Sequence, residues 1–578
     1  MKIRWIATVV AIGAAALAGC GGDETGSGGS GGSGGGSGGN GTGGGSGGNG
    51  SGGGSGGGSA MTACSEPVAS DPDIQQELPK EYLDTTFVAP SGATVAVPAG
   101  GDLQAAINAA QPGDTITLEA GATYAGTFTL PKKTGDGWIV IRTSTPDGEL
   151  PKPGTRVSPS HAPLMAKITA PASLPAIQAE AGAHHYRLIG LEIAPISNMV
   201  DVYTLVALGD GGQTSLDDVP HHIILDRLFV HGFPDRYLKR GVELNSGHTA
   251  VIDSHISDCH VEGQDAQAIA GFNGPGPYKI ENNYLEGSGE NVMFGGADPK
   301  IQDLVPSDIE ITRNHFYKPL SWRQEDPSFA GHAWSVKNLF ELKNAQRVLI
   351  RCNVFENNWG HAQVGFAILF TVRNQDGSAP WSVVQDVTFI KNIVRHTASA
   401  INILGTDDLQ QAQTTKRILI QDNFMDDVNG DTWNGSGRVY QMLSGAESIK
   451  IDHNTAFQSG TIMVADGAPS PGLVFTNNIS PANMYGIHGS GEAPGNGSIM
   501  AFFPGSTFSK NVIPGAPEAS YPADNFYPAS IDDVGFVNAS GGDYHLKSDS
   551  PYAKASTDGR DIGADLDAIQ KGTAGVAP

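Results

Sequence analysis

Seven asparagines recur in one local setting, and that recurrence confines the chain to a stacked fold. The setting is an apolar residue, two residues of any kind, then Asn, inside a short β-branched run. It spans Ile280 to Asn283, Ile311 to Asn314, Ile350 to Asn353, Phe389 to Asn392, Ile420 to Asn423, Ile451 to Asn454 and Phe475 to Asn478. The copies follow one another at roughly 24–39 residues, the spacing of solenoid repeats. An Asn at a turn can adopt the left-handed conformation and bond neighbouring backbone. Stacked coil upon coil, such amides can also bond one another. The pattern therefore predicts an all-β chain, a right-handed parallel β-helix with an internal asparagine ladder. Weaker copies without Asn precede it, from Leu188, Leu225 and Ile252.

The repeat sets the domain plan. Stacked coils share one core, so residues 60–578 read as a single β-helix domain. Its regular coils are expected at about 221–479, and a C-terminal cap at about 480–578. Leu103, Ile107 and Ala110 fall on one face of a helical stretch before the first coil, as a cap over the open apolar end would require. Residues 1–19 read as a signal peptide, with a basic start at Lys2 and Arg4 and an apolar stretch from Ile6 to Leu17 too short to span a bilayer comfortably. The stretch closes on Leu17-Ala18-Gly19-Cys20, which resembles a bacterial lipobox; the resemblance implies cleavage before Cys20 and lipidation of its thiol. Residues 20–59 are largely Gly, Ser and Asn, a flexible tether. The expected location is the outer membrane or cell surface, with the lipid as the only membrane contact. Cys64, Cys259 and Cys352 remain, enough for one disulfide and one free thiol. Cys259 and Cys352 sit in different phases of the repeat and are not expected to pair. No His/Cys spacing suggests a zinc site.

The formal net charge of −25 excludes a nucleic-acid partner, because phosphate binding needs a basic field. Yet between Arg313 and Arg373 eight Lys or Arg face four acids, a locally basic band suited to an anionic ligand. Two insertions break the rhythm there, Asp298–Pro306 and Leu320–Ser335, and project as walls of a groove. Trp322 and Trp334 in the second can stack on a sugar ring or cover the core beneath the loop.

Aligned by their asparagines, Phe340-Glu341-Leu342-Lys343-Asn344 lies beside Phe370-Thr371-Val372-Arg373-Asn374. Alternation turns Glu341, Lys343, Thr371 and Arg373 outward and makes Lys343 and Arg373 neighbours, as it does Asn344 and Asn374. Asn402 and Gln441 continue that face, and Glu243 and Asn245 precede it. Adjacent cations lower the pKa of a Lys, which suits it to take a proton. Elimination from a uronate needs a base, a cation beside the carboxylate and an acid for the leaving oxygen. Lys343 as base and Arg373 as stabiliser or acid fit those roles, with Asn344, Asn374, Asn402, Gln441, Trp322 and Trp334 as substrate contacts.

The helical cap and the coils after it resemble pectate-lyase-like β-helix proteins, most of all the family of chondroitinase B and alginate lyases, polysaccharide lyase family 6. That resemblance implies elimination on a uronate polymer with bound Ca2+, for which Glu341 is the candidate ligand. The match is partial. A single Glu341 precedes Lys343, Asn344 follows it, and Asn374 stands where a His commonly follows the Arg. Glu286 and Glu290 offer further oxygen ligands. Asp407-Asp408 resembles the paired aspartates of β-helix polygalacturonases, which makes hydrolysis an alternative. The competing class is a non-catalytic adhesin or glycan-binding module. The expected partner is an anionic polysaccharide, and the chain is expected to be a monomer.

Overall fold

The computed structural model describes Cys64, residues 66–171, 173–197 and 201–578. The expected signal peptide, lipidated Cys20 and flexible tether fall outside these residues. Three parallel sheets of 14, 11 and 12 strands form the body, and the chain visits them in turn. One coil runs from His221–Asp226 in the first sheet through Phe229–His231 in the second to Tyr237–Leu244 in the third. The next strand, Gly247–Ile252, then stacks on His221–Asp226. The chain is a parallel β-helix. Stacking begins at Thr94–Val97 and reaches Thr507–Ser509, so coils extend on both sides of residues 221–479.

Period-two apolar patterning fills the interior. Ile280, Ile311, Ile350, Phe389, Ile420 and Ile451 hold equivalent places in the first sheet and all lie in one continuous core. The helix Leu103–Ala109 closes the N-terminal end, with Leu103 and Ile107 buried and the Asp102 side chain accepting from the Ala105 amide. An Asp at that position satisfies a backbone donor the helix leaves unpaired.

The asparagines mark the corner between the first and second sheets. From Asn283 each amide donates to the Oδ1 of the next, through Asn314, Asn353, Asn392, Asn423, Asn454, Asn478 and Asn511 to Asn525, at 2.9–3.1 Å. The left-handed residue is not the asparagine. It is the one before it, as at Asn282, Arg313, Cys352, Lys391, Asp422 and His453. That conformation turns the chain through the corner and leaves the Asn side chain pointing inward.

The segment after Cys64 runs back over the outer face of the first sheet. Asp71 and Asp73 pair with Lys450, Gln76 meets Thr388, the Lys80 amide meets Asp308, and Thr85 receives Arg187. A Cys64–Cys352 disulfide fixes its start, and Cys259 is buried and free. Among the described residues no helix is long and apolar enough to cross a membrane.

Candidate functional site on the third sheet

The outer face of the third sheet is flanked by both insertions. Asp298–Pro306 follows the strand Glu290–Phe294, and Leu320–Ser335 lies just before Phe340–Leu342. The strands here do not alternate strictly. Leu205 with Val206, Ala268 with Ile269, Leu339 with Phe340, Ala400 with Ile401 and Val439 with Tyr440 are consecutive pairs that both enter the core. Each such pair leaves the residues on either side of it, three apart, on the same outer side, with the strands still paired one to one. Two outer rows result. One carries Thr204, Arg240, Gln267, Glu290, Asn338, Ser399 and Arg438; the other carries Glu243, Met293, Glu341, Leu369, Asn402 and Gln441. Strict alternation sees only the second row, which is why sequence reasoning missed Arg240, Gln267, Asn338 and Arg438.

Hydrogen bonds join the rows. Arg240 donates to Glu243 at 3.2 Å and to Gln267 at 3.3 Å, and Gln267 donates to Glu290 Oε2 at 2.7 Å. Asn338 and Thr371 donate to opposite oxygens of Glu341 at 3.3 and 3.2 Å, and Lys343 Nζ lies 3.7 Å from Glu341 Oε1. Lys337 pairs with Asp265. Arg438 donates to Gln441, whose amide donates to Asn402. Glu290 is fully buried and its Oε1 has no partner among the described residues. Burial pushes the Glu290 carboxyl well above the ordinary range, and the negative charges of Asp265 and Glu341 push it the same way. Exposed Tyr203 (51%) lies at the edge of this face with Lys239 and Arg240 over its ring, an aromatic surface not found from the sequence.

Lys343 owes its position to Gly295. That glycine has φ +104°, and a Cβ on it would fall 2.7 Å from the Lys343 Cβ. Only Gly tolerates both the backbone angle and the approach.

Several expected contacts are corrected. Glu341 pairs in register with Leu369, not Thr371. The Arg373 amide does bond the Lys343 carbonyl, so the backbones are adjacent, but the side chains diverge. Arg373 is held by Asp407 at 2.8 Å and by Asp408. Its charge is therefore compensated, and the two aspartates are an ion cluster with a capping role: Asp407 also accepts from the amides of Asn374 and Leu409. Asn344 and Asn374 are buried turn residues whose amides serve the backbone at Leu304, Val383, Gln411 and Ala379, leaving nothing for a sugar. Trp322 and Trp334, 5% and 1% exposed, pack with Val336, Trp359 and Trp433, and His260 stacks on Trp334 at 3.9 Å. They cover the core under the insertion. The basic band is dispersed. Arg347 and Arg351 pair with Asp308 and Glu310 on the first sheet, Arg313 binds carbonyls near the C-terminal helix, and Lys318 is buried. Glu286 lies on the second sheet, a different face from Glu290. As for Ca2+, the two oxygens of Glu341 accept from Asn338 and Thr371, and Lys343 Nζ lies 3.7 Å from one of them. No three acidic or imidazole groups converge here within 4.8 Å among the described residues. These residues do not fit a calcium site.

Solved structures share the parallel β-helix fold. Alginate lyase AlyGC of polysaccharide lyase family 6 superposes with a TM-score of 0.50 at 13% identity, covering 84% of this chain and 59% of that one. The chain thus spans about 59% of the length of that enzyme. The catalytic unit of a GH87 α-1,3-glucanase from Streptomyces thermodiastaticus gives 0.45 at 12% identity, over 78% of this chain and 72% of the other. A mannuronic acid-specific family 6 lyase from human gut microbiota gives 0.43 at 12%, over 74% and 88%. At these identities the likeness is one of fold. No protein-family model and no curated protein matches the sequence.

Proposed function

We propose that the outer face of the third sheet binds a uronate-containing polysaccharide and cleaves it by β-elimination. The observation that carries this reading is the placement, between two insertions, of Lys337 and Lys343 beside Glu341 and a buried carboxyl, Glu290, that burial holds above the ordinary range. Lys343 takes the proton from the carbon next to the uronate carboxylate. The C–O bond to the leaving sugar breaks as the carbon–carbon double bond forms. Lys343 then returns the proton to the leaving oxygen, and Lys337 and Arg240 balance the carboxylate charge. Arg373 is left out because two aspartates already hold it. No step runs through Ca2+. Asn402, Gln441 and Arg438 extend the binding face over later coils.

A second reading, hydrolysis, is favoured by one feature: two carboxyl groups, Glu290 and Glu341, lie on adjacent coils, and burial holds Glu290 above the ordinary range. Product analysis separates the two. On a panel of uronate polymers, elimination yields new reducing ends each matched by an unsaturated residue, and hydrolysis yields reducing ends alone. Binding without new ends defines a glycan-binding module and ends both readings. The lipobox-like Cys20 and the Gly-rich tether support an outer-membrane lipoprotein; labelled lipid that remains on a Cys20→Ala chain would overturn this.

A further inference from the structure

Two histidine pairs fall at the same place in successive coils, His184-His185 and His221-His222, and His248 follows in the next. Each opens a strand of the first sheet. The second residue of each step is left-handed, with φ of 60°, 54° and 48° at His185, His222 and His248. Asp308, Arg347, Asp386 and Arg417 share that conformation, so it belongs to the coil and not to histidine. Its effect is to turn two consecutive side chains outward together, where a regular strand would send them to opposite faces.

Two columns of stacked imidazoles result. His184 stacks on His221 at 4.9 Å between centroids; His185 stacks on His222 at 4.6 Å, and His222 on His248 at 4.4 Å. Across the columns His184 Nδ1 lies 2.8 Å from His185 Nδ1, and His221 Nδ1 lies 2.7 Å from His222 Nδ1. Ring nitrogens of His185, His221 and His222 all come within 4.8 Å of one another. All five rings are half-buried, open enough to admit an ion.

We propose that His185, His221 and His222 bind one divalent transition-metal ion of the imidazole-preferring kind, Zn2+, Cu2+ or Ni2+, at a site separate from the third sheet. Imidazole suits these ions, and a metal bound at about 2.0–2.1 Å from each nitrogen needs ligand atoms no more than about 4 Å apart. Modest ring rotations close that gap. The surrounding groups orient the rings. His184 Nε2 faces the Lys133 carbonyl at 3.0 Å, which leaves its Nδ1 as the acceptor in a neutral ring. Trp138 sits edge-on to His185 at 5.3 Å, and Glu81 holds His248 Nε2 at 3.1 Å. The ion would join two coils where the N-terminal strap crosses them.

The test uses the chain purified without a polyhistidine tag and stripped with chelator. Zn2+ titration by calorimetry is expected to give one site per chain. In the His221→Ala/His222→Ala double variant affinity should fall by more than about 100-fold, beyond the roughly 10–100-fold that loss of an outer partner costs. The control His488→Ala, on the third sheet, should bind as wild type. Should the double variant fail to fold, the Cu2+-loaded wild type decides: its electron spin resonance should show coupling to three imidazole nitrogens. Absence of binding, equal binding in the folded double variant, or a Cu2+ spectrum without multiple nitrogen couplings overturns the proposal.

Discussion

Asn353→Leu is the most informative single change to the scaffold. Asn353 Oδ1 accepts from the Asn314 backbone amide at 2.8 Å and from Asn314 Nδ2 at 3.1 Å; its own Nδ2 serves Ile311 O, Arg351 O and Asn392 Oδ1, each at 3.0 Å. Leucine has nearly the same shape but neither accepts nor donates. The backbone amide of Asn314, a fully buried residue, then loses its acceptor, while Asn314 Nδ2 keeps Ile280 O and Thr312 O. The expected loss is about 1–3 kcal/mol. In a solenoid that loss stays near the site, because each coil contacts only its neighbours. Hydrogen exchange read by mass spectrometry on peptides covering 307–317 and 345–358 therefore suits it better than a global melt. At tenfold per 1.4 kcal/mol, the lower bound of about 1 kcal/mol makes Asn314 exchange about 5 times faster. Exchange there equal to wild type would refute the claim that the column holds the corner together.

Trp334→Ala should cost about 3–5 kcal/mol by opening a cavity among Val336, Trp359 and Trp433, while the folded fraction binds polymer as before; a selective loss of binding at unchanged stability would restore Trp334 as a sugar contact. Gly295→Ala should push the Lys343 strand aside and reduce turnover without unfolding the chain, as checked by circular dichroism alongside rate. Glu356 would be raised by burial alone, but its bonds to His315 and Arg395 outweigh this and hold it at about 2. A carboxyl lowered on folding contributes stability above its unfolded value near 4.5 and loses it as pH falls through about 2, so Glu356→Gln should flatten the acid limb of denaturation between those values. An unchanged acid limb contradicts that role. Turnover in excess EDTA should equal turnover without it.

The scaffold was legible because one interaction repeats in one phase. The apolar–any–any–Asn step marks a corner, and corners fix where each strand starts and which residues face in. The capping helix was legible for the same reason, from Leu103 and Ile107 on one face. The site was less so. Aligning coils by asparagines placed Glu341 against Thr371, whereas insertions of unequal length between corner and strand shift the pairing to Leu369. The paired inward step that turns Arg438 outward leaves no mark in a period-two pattern, since the two residues after it, Val439 and Tyr440, are both simply apolar; after Glu290 the same step begins with a polar residue, Asn291. Whether Trp322 and Trp334 were exposed depended on what lay under their loop, and Trp359 and Trp433, distant in sequence, supply it. The histidine cluster carried a signal that spacing rules for zinc do not describe, two His-His steps one coil apart.

The most direct test of the elimination account compares wild type with Lys343→Ala on the same uronate polymer, following ultraviolet absorbance of the unsaturated product and, separately, polymer binding. The account expects the variant to lose turnover by about 100-fold or more while keeping most of its affinity, because a base acts only in the transition state. Equal turnover in the two proteins, or a wild type that binds the polymer and produces no unsaturated ends, would contradict it.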